Sequence, residues 1–231
     1  MIEVGGGQID ISSIVKEKCC CGGEYPYICK DGQPCICAKA RYRKQTVIHR
    51  IKNSQIPKRY RYYVVRDIKE AERRIFAEKY ITQYKEGSKG LWISGGVGVG
   101  KTFFASVIMN ELIIRNGISS KFISYRMLVN SIKSNIGKET GMSLPALLSE
   151  LKKTELIIID DLVVRDTEFE YELLYMVTDL CYVEEKTLLI TTNESLEDIY
   201  GGRISSRIAE MTDHVKLKGK DKRRCKPKKK T

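Results

Sequence analysis

The sequence predicts an α/β protein with a five-stranded parallel sheet covered by helices on both faces, preceded by a small cysteine-rich domain. Two patterns carry the first part. From residue 91 onward, short unbroken apolar runs alternate with stretches of helical spacing, and continuous apolar strands belong to sheets buried on both faces. One junction between run and helix holds Gly95-Gly96-Val97-Gly98-Val99-Gly100-Lys101-Thr102, which fits the phosphate-binding pattern G-x-x-x-x-G-K-[ST]. The second part rests on the crowding of six of the eight cysteines into residues 19–37.

The elements follow in order. A basic helix over 38–56 ends in the turn Asn53-Ser54-Gln55-Ile56-Pro57. Pro57 cannot continue a helix, so the joint between the two parts is placed there. Helical spacing through Ile68, Ala71, Ile75, Tyr80 and Ile81 predicts a helix over 67–85. Strands are predicted at 91–94, 121–125, 155–160, 187–191 and 213–217. Helices are predicted at 101–116, 126–136, 143–153, 168–184, 195–200 and 203–210. Glycines around the phosphate pattern let the backbone curl round an anion, and the following helix turns its amides toward it. Residues Gly95 to Phe103 are therefore read as nucleotide-binding, with Lys101 on the outer phosphates and Thr102 on Mg²⁺.

The chain has 231 residues, 42% apolar and 30% charged, with a net charge of +12. That composition fits a globular protein with a full core and excludes a predominantly disordered chain. No apolar run approaches the ~20 residues of a membrane helix, and the first residues resemble no signal peptide. The expected location is the cytoplasm, with no membrane partner. The charge is concentrated. Residues 39–61 carry nine Lys or Arg and no acid, and residues 216–231 carry ten with the single acid Asp221. The rest is mildly acidic. Such blocks attract polyanions, nucleic acid above all. Tyr42, Tyr60, Tyr62 and Tyr63, within or beside the first block, offer rings for stacking on bases.

Cys19, Cys20, Cys21, Cys29, Cys35 and Cys37 lie among prolines and glycines. In a reducing compartment that density points to metal rather than disulfides. Zn²⁺ takes four soft ligands from two facing knuckles. The set chosen is Cys19, Cys21, Cys35 and Cys37, with Cys20 and Cys29 as alternates. Cys181 falls in a helical apolar pattern and is assigned to the core.

Downstream, the run Leu156-Ile157-Ile158-Ile159 ends in Asp160-Asp161. Acids there sit at the carboxyl edge of a parallel sheet, where ligands bind. Asp160 is read as a Mg²⁺ holder and Asp161 as the residue that orients or deprotonates the attacking water. Asn193, ending the next run, can sense the γ-phosphate or cap a helix. Arg203 and Arg207, four residues apart on one helix face, can reach a neighbouring subunit's phosphate.

The set "GGVGVGKTFFA", "LIIIDDL", "LLITTNESLEDI", "GGRISSRIAEM" and "VKLKGKDKR" resembles the DnaC/DnaI-type helicase loaders, a branch of the AAA+ ATPases. The cysteine-rich segment followed by "IPKRYR" resembles the front end of phage and bacterial members. The resemblance implies that Asp160 and Asp161 form the Walker B pair, Asn193 is sensor 1, Arg207 is the arginine finger with Arg203 its helper, and Arg223 occupies the sensor 2 place. It implies a helical insertion over 126–153 near single-stranded DNA. It implies ATP, Mg²⁺ and Zn²⁺ as cofactors, a DnaB-type helicase as partner, and self-association through the ATPase domain. The chain departs from the family's common Cys-x-x-Cys-Gly-Gly knuckle, having Lys18, and ends too soon for a full helical lid. Asp161, shorter than the usual Glu, implies slow, switch-like turnover. The expected domains are 1–56, zinc-binding and helicase-interacting; 57–224, the ATPase; and 225–231, a basic tail. Two alternatives stand beside the loader: an IstB-like transposition-helper ATPase, and a non-hydrolysing adaptor stabilised by nucleotide.

Overall fold

The computed structural model describes residues 36–135, 143–163, 167–193 and 202–222. Helix α1 (Ile36–Asn53) and helix α2 (Ala71–Gln83) precede an alternation of strands and helices. That alternation runs β1 (Gly90–Ser94), α3 (Lys101–Asn116), β2 (Ser120–Ser124), α4 (Tyr125–Asn135), α5 (Leu144–Lys152), β3 (Leu156–Leu162), α6 (Glu168–Val183), β4 (Thr187–Thr192), α7 (Arg203–Met211) and β5 (Thr212–Lys216). The strands form one sheet in the order β2-β3-β4-β1-β5, every neighbouring pair parallel. The parallel sheet expected from the apolar runs is present, and its five strands fall within two residues of the expected spans.

Side chains alternate across the sheet, as the two-residue strand period demands. Leu91, Ile93, Ile158 and Leu189 pack toward α1, α2 and α3. Trp92, Ile157, Ile159, Leu188 and Ile190 pack toward α4 to α7. β1 and β4 are buried along their whole length. Helix α3 is buried on most of its surface, because it lies beneath α1 and α2 and over the sheet. Two of the later helices start on side-chain caps. Ser143 accepts from the Ala146 amide, and Thr167 from the Glu170 amide.

The upstream region belongs to the same core. Val47, Ile51 and Ile56, all before Pro57, are buried in the α1–α3 layer, and the Phe122 amide of β2 donates to the Ser54 carbonyl at 2.7 Å. The helix expected over 67–85 begins later, at Ala71. Asp67 closes a 3₁₀ turn over Val65–Asp67 by accepting from the Val64 amide at 2.8 Å, and Ile68 enters the core. Ile75, expected on the apolar face, is 67% exposed.

Cys181 is fully buried, as expected, and its thiol is pushed up to about 12 by desolvation. The helix expected near 195–200, Cys19 to Cys35, Arg223 and the tail 225–231 lie outside the described residues. No described helix is long and apolar enough to cross a membrane.

Candidate nucleotide-binding site

The site grows from the end of β1. Its strand residues are buried and fixed, and the chain then turns through Gly95–Gly100 into α3. Gly98 has φ +76°, and a Cβ there would lie 1.8 Å from the Asp221 carboxylate. Glycine is required at this point on both counts. Lys101, buried at the first turn of α3, folds back over the loop. Its Nζ donates to the carbonyls of Gly95 at 2.8 Å and Gly96 at 3.0 Å, and to Asn193 Oδ1 at 2.6 Å.

The neighbouring strands supply the acids. β3 and β4 lose register between Ile159 and Leu162, and Asp161 there takes the left-handed φ of 55°. This bulge turns consecutive acids in different directions. Asp160 points inward, 9% exposed, and accepts from the Thr191 hydroxyl at 2.7 Å. The Asp161 amide donates to the same hydroxyl oxygen at 2.9 Å, which leaves the Asp161 side chain exposed. The Thr102 hydroxyl also bonds Asp160. Burial raises the Asp160 carboxyl above the usual carboxylate range, opposed by its bonds to Thr191 and Thr102.

These groups face one cavity of about 690 Å³, within the size range of small-molecule sites. Val97, Gly98, Gly100, Lys101, Thr102 and Phe103 line one side; Asp160, Asp161 and Asn193 line another. Gly95, Gly96 and Val99 shape the loop from behind, through the carbonyls that hold Lys101 and Arg73. A buried acid beside a threonine hydroxyl is the hard oxygen donor set that Mg²⁺ takes, so Thr102 and Asp160 fit that ion.

Sequence reasoning missed part of this wall. Tyr60 and Tyr63 line the cavity rather than an outer nucleic-acid face, and both rings meet Phe103 edge-on, at 6.4 and 5.2 Å. Asn110 of α3 fixes them by donating to the carbonyls of Tyr60 and Tyr63 at 3.0 and 2.9 Å. Tyr42 remains 73% exposed. Thr191, Glu70 and Lys222 are further lining residues. Their signals were faint: a threonine in a strand and two charges among many.

Arg203 and Arg207 are not part of this lining. They lie on α7, where Arg207 pairs with Asp179 of α6 and its guanidinium sits 5.2 Å from the ring centres of both Tyr175 and Tyr182. Arg203 is exposed. Among the described residues no group of three or more His, Cys, Asp or Glu is placed to hold a metal, and the zinc ligand set lies outside them except for Cys37, whose backbone is in the first turn of α1.

A phosphate loop on a central strand, an acid pair on β3 and an asparagine at the end of β4 define an AAA+ P-loop ATP-binding protein. The sequence profile of the IstB-like ATP binding proteins matches residues 37–205, and the chain belongs to that family. It is 27% identical over 137 residues to the replicative helicase loader DnaC of Escherichia coli K12, covering 57% of this chain and 55% of that one. The chain thus spans about half the length of that curated relative. Among solved structures, DnaI superposes with a TM-score of 0.60 at 21% identity, covering 74% of this chain and 98% of that one. AMPPCP-bound DnaA of Aquifex aeolicus superposes with a TM-score of 0.59 at 17% identity, covering 74% and 53%. Both likenesses are of fold.

Proposed function

We propose that this chain is a replicative helicase loader. It binds a DnaB-type helicase and single-stranded DNA with ATP and Mg²⁺ bound, and lets go on hydrolysis. The observation that carries the reading is the identity to the Escherichia coli replicative helicase loader, 27% over 137 residues. The expected result is ATP-dependent capture of a hexameric helicase by the full chain. The family match favours a second reading, a transposition helper. Capture of duplex DNA and a transposase, with the helicase ignored, would overturn the first reading in favour of that one.

The chemistry assigned to the site is slow phosphoryl transfer to water. The amides of Gly95 to Phe103 and the Lys101 ammonium hold the phosphates. Thr102 and Asp160 hold Mg²⁺, which neutralises phosphate charge. Asp161 orients the attacking water and takes its proton, while the bond from the γ-phosphorus to its bridging oxygen breaks. The hydrogen bond from Lys101 to Asn193 supports a sensor 1 role, since phosphate binding and the end of β4 then share one contact. Arg207, helped by Arg203, serves a neighbouring subunit, and Arg223 remains assigned to the sensor 2 place. Asp161→Asn is expected to keep ATP affinity and lose nearly all phosphate release. A wild type with no release to lose would mark a non-hydrolysing adaptor.

The upstream part, 1–56, is assigned to the helicase and to Zn²⁺ held by Cys19, Cys21, Cys35 and Cys37. The ATPase is assigned to 57–224, with Val47, Ile51 and Ile56 of the preceding segment packed into its core, and a basic tail to 225–231. Zinc content of the chain purified without chelator tests the metal: about one equivalent is expected, and none removes the assignment.

A further inference from the structure

Helix α3 shapes the cavity at two points. Its first turn places Lys101, Thr102 and Phe103 in the lining. Roughly two turns further on, Asn110 is fully buried and faces the segment before α2. Its Nδ2 forks between the Tyr60 and Tyr63 carbonyls, at 3.0 and 2.9 Å. Among the described residues no backbone amide donates to either oxygen. Between them Tyr62 takes a φ of 69°, a left-handed backbone that is costly for a tyrosine and persists only where its surroundings impose it. The fork closes over that strained residue. Asn110 Oδ1 is itself buried with no hydrogen-bond partner among the described residues, as is Ser106 Oγ one turn before it. A side chain that served stability alone would not carry that cost.

We infer that Asn110 is a positioning residue for nucleotide binding: by pinning the Tyr60–Tyr63 turn, it holds in place the wall that receives the nucleoside half of the ligand. Two kinds of wall face this cavity. Lys101, Thr102 and Asp160 form a polar one, suited to phosphates and their metal. Tyr60, Tyr63 and Phe103 form an aromatic one, its rings edge to face, with the Arg59 guanidinium 4.9 Å from the Tyr60 ring centre. A purine or pyrimidine ring gains from aromatic contact, and a polyphosphate does not. Phe103 is fixed by α3, so the wall depends on how firmly residues 60–63 dock against it. Without the fork both carbonyls lose their donor, and the strained backbone at Tyr62 loses what imposes it. The next anchor survives, because Glu111 still accepts from the Val65 amide at 2.9 Å. Loss of Asn110 therefore loosens the turn and leaves the segment attached.

The inference rests on nucleotide binding, which the wild-type titration reports by itself, and not on the loader role. The test titrates the full chain with a non-hydrolysable ATP analogue, with ADP and with inorganic tripolyphosphate, all with Mg²⁺. Asn110→Leu fills the site without a donor. It is expected to weaken the ATP analogue and ADP alike, about tenfold, and to leave tripolyphosphate unchanged. Asn110→Ser, whose one hydroxyl proton can serve only one carbonyl, is expected to shift the same way by less, and it carries the test if leucine at this buried position prevents folding. Tyr63 is half-buried, and Tyr63→Ala is expected to give the same split between nucleotide and tripolyphosphate. In that background Asn110→Leu adds little, because both changes act through one wall. Equal weakening of nucleotide and tripolyphosphate in the Asn110 variants would assign the residue to the fold alone and overturn the inference. So would wild-type affinity for the ATP analogue in both Asn110 variants, or fully additive effects of Asn110→Leu and Tyr63→Ala.

Discussion

Asp160 shows what a single buried acid does to this protein. Its carboxyl is raised by desolvation, and its hydrogen bonds to Thr191 and Thr102 only partly offset that. A carboxyl raised in the folded state keeps its proton over a range where the unfolded chain has released it. Stability tied to Asp160 is therefore full below the ordinary carboxylate range and declines as pH rises through the raised value. At neutral pH the nucleotide-free protein bears the cost of that buried charge. Asp160→Asn keeps an acceptor oxygen for the threonines and removes the charge. We expect it to melt higher than wild type at pH 7.5, by about 2–4 °C for each kcal/mol relieved. The gap closes as pH falls and Asp160 protonates. Thermal melts without nucleotide across that range check the sign, and added Mg²⁺ and ATP should stabilise the wild type but not the variant. Asp161 is the opposite case. Its backbone is in a region costly for most residues, and the bulge that imposes it turns the side chain into the cavity.

At the level of elements, the strands and the helices around them were legible because β1, β3 and β4 are built on short apolar runs between turns. The helix from Lys101 to Asn116 was legible to the residue, framed by Gly100 and Gly117, both with positive φ. The acid pair was legible as a position, but the bulge that separates the roles of Asp160 and Asp161 has no sequence signature. The segment from Pro57 to Glu70 was not legible. It has no period, and its path is set by long-range bonds from Asn110 and by Glu111, which accepts from the Val65 amide at 2.9 Å. The stretch after β5 was illegible for the same reason: Lys222 is one of ten basic residues in 216–231, and only the fold brings it to the cavity. Helix α1 was foreseen, but not its share of the core. Ile51 is completely buried, and Ile51→Ala is expected to cost 2–5 kcal/mol, about the range for such truncations. A denaturation midpoint measured on the full chain checks this. A change near zero would show that α1 is only lightly attached.

The molecule as a whole carries Arg203 and Arg207 of α7 apart from the lining of the nucleotide cavity. Arg207 is held by Asp179 and two tyrosines of its own chain, away from the cavity lining. If it serves a neighbour's nucleotide, two inactive variants should rescue each other. Lys101→Ala cannot bind productively, and Arg207→Ala cannot assist. Mixed in equal amounts, they are expected to recover about a quarter of wild-type phosphate release, the fraction of random pairs joining a competent loop to a competent arginine, an order-of-magnitude figure for a site shared between subunits. Rates that simply average the two variants would place Arg207 within its own subunit's structure. Binding of the full chain to single-stranded DNA should fall steeply with salt, as the two basic blocks release counterions.

The place of β1 in the middle of the sheet has a consequence for biosynthesis. Its partners are β4 and β5, and Leu91 meets Leu189 and Asp213 only after roughly a hundred further residues have been made. At ordinary rates of translation that is a wait of about 5–20 s. A nascent chain stalled before Thr187 already contains every residue of the phosphate loop, yet the strand that carries it has no neighbour on either side. The nucleotide site is thus a late product of synthesis, completed only when the last strand and the stretch after it leave the ribosome.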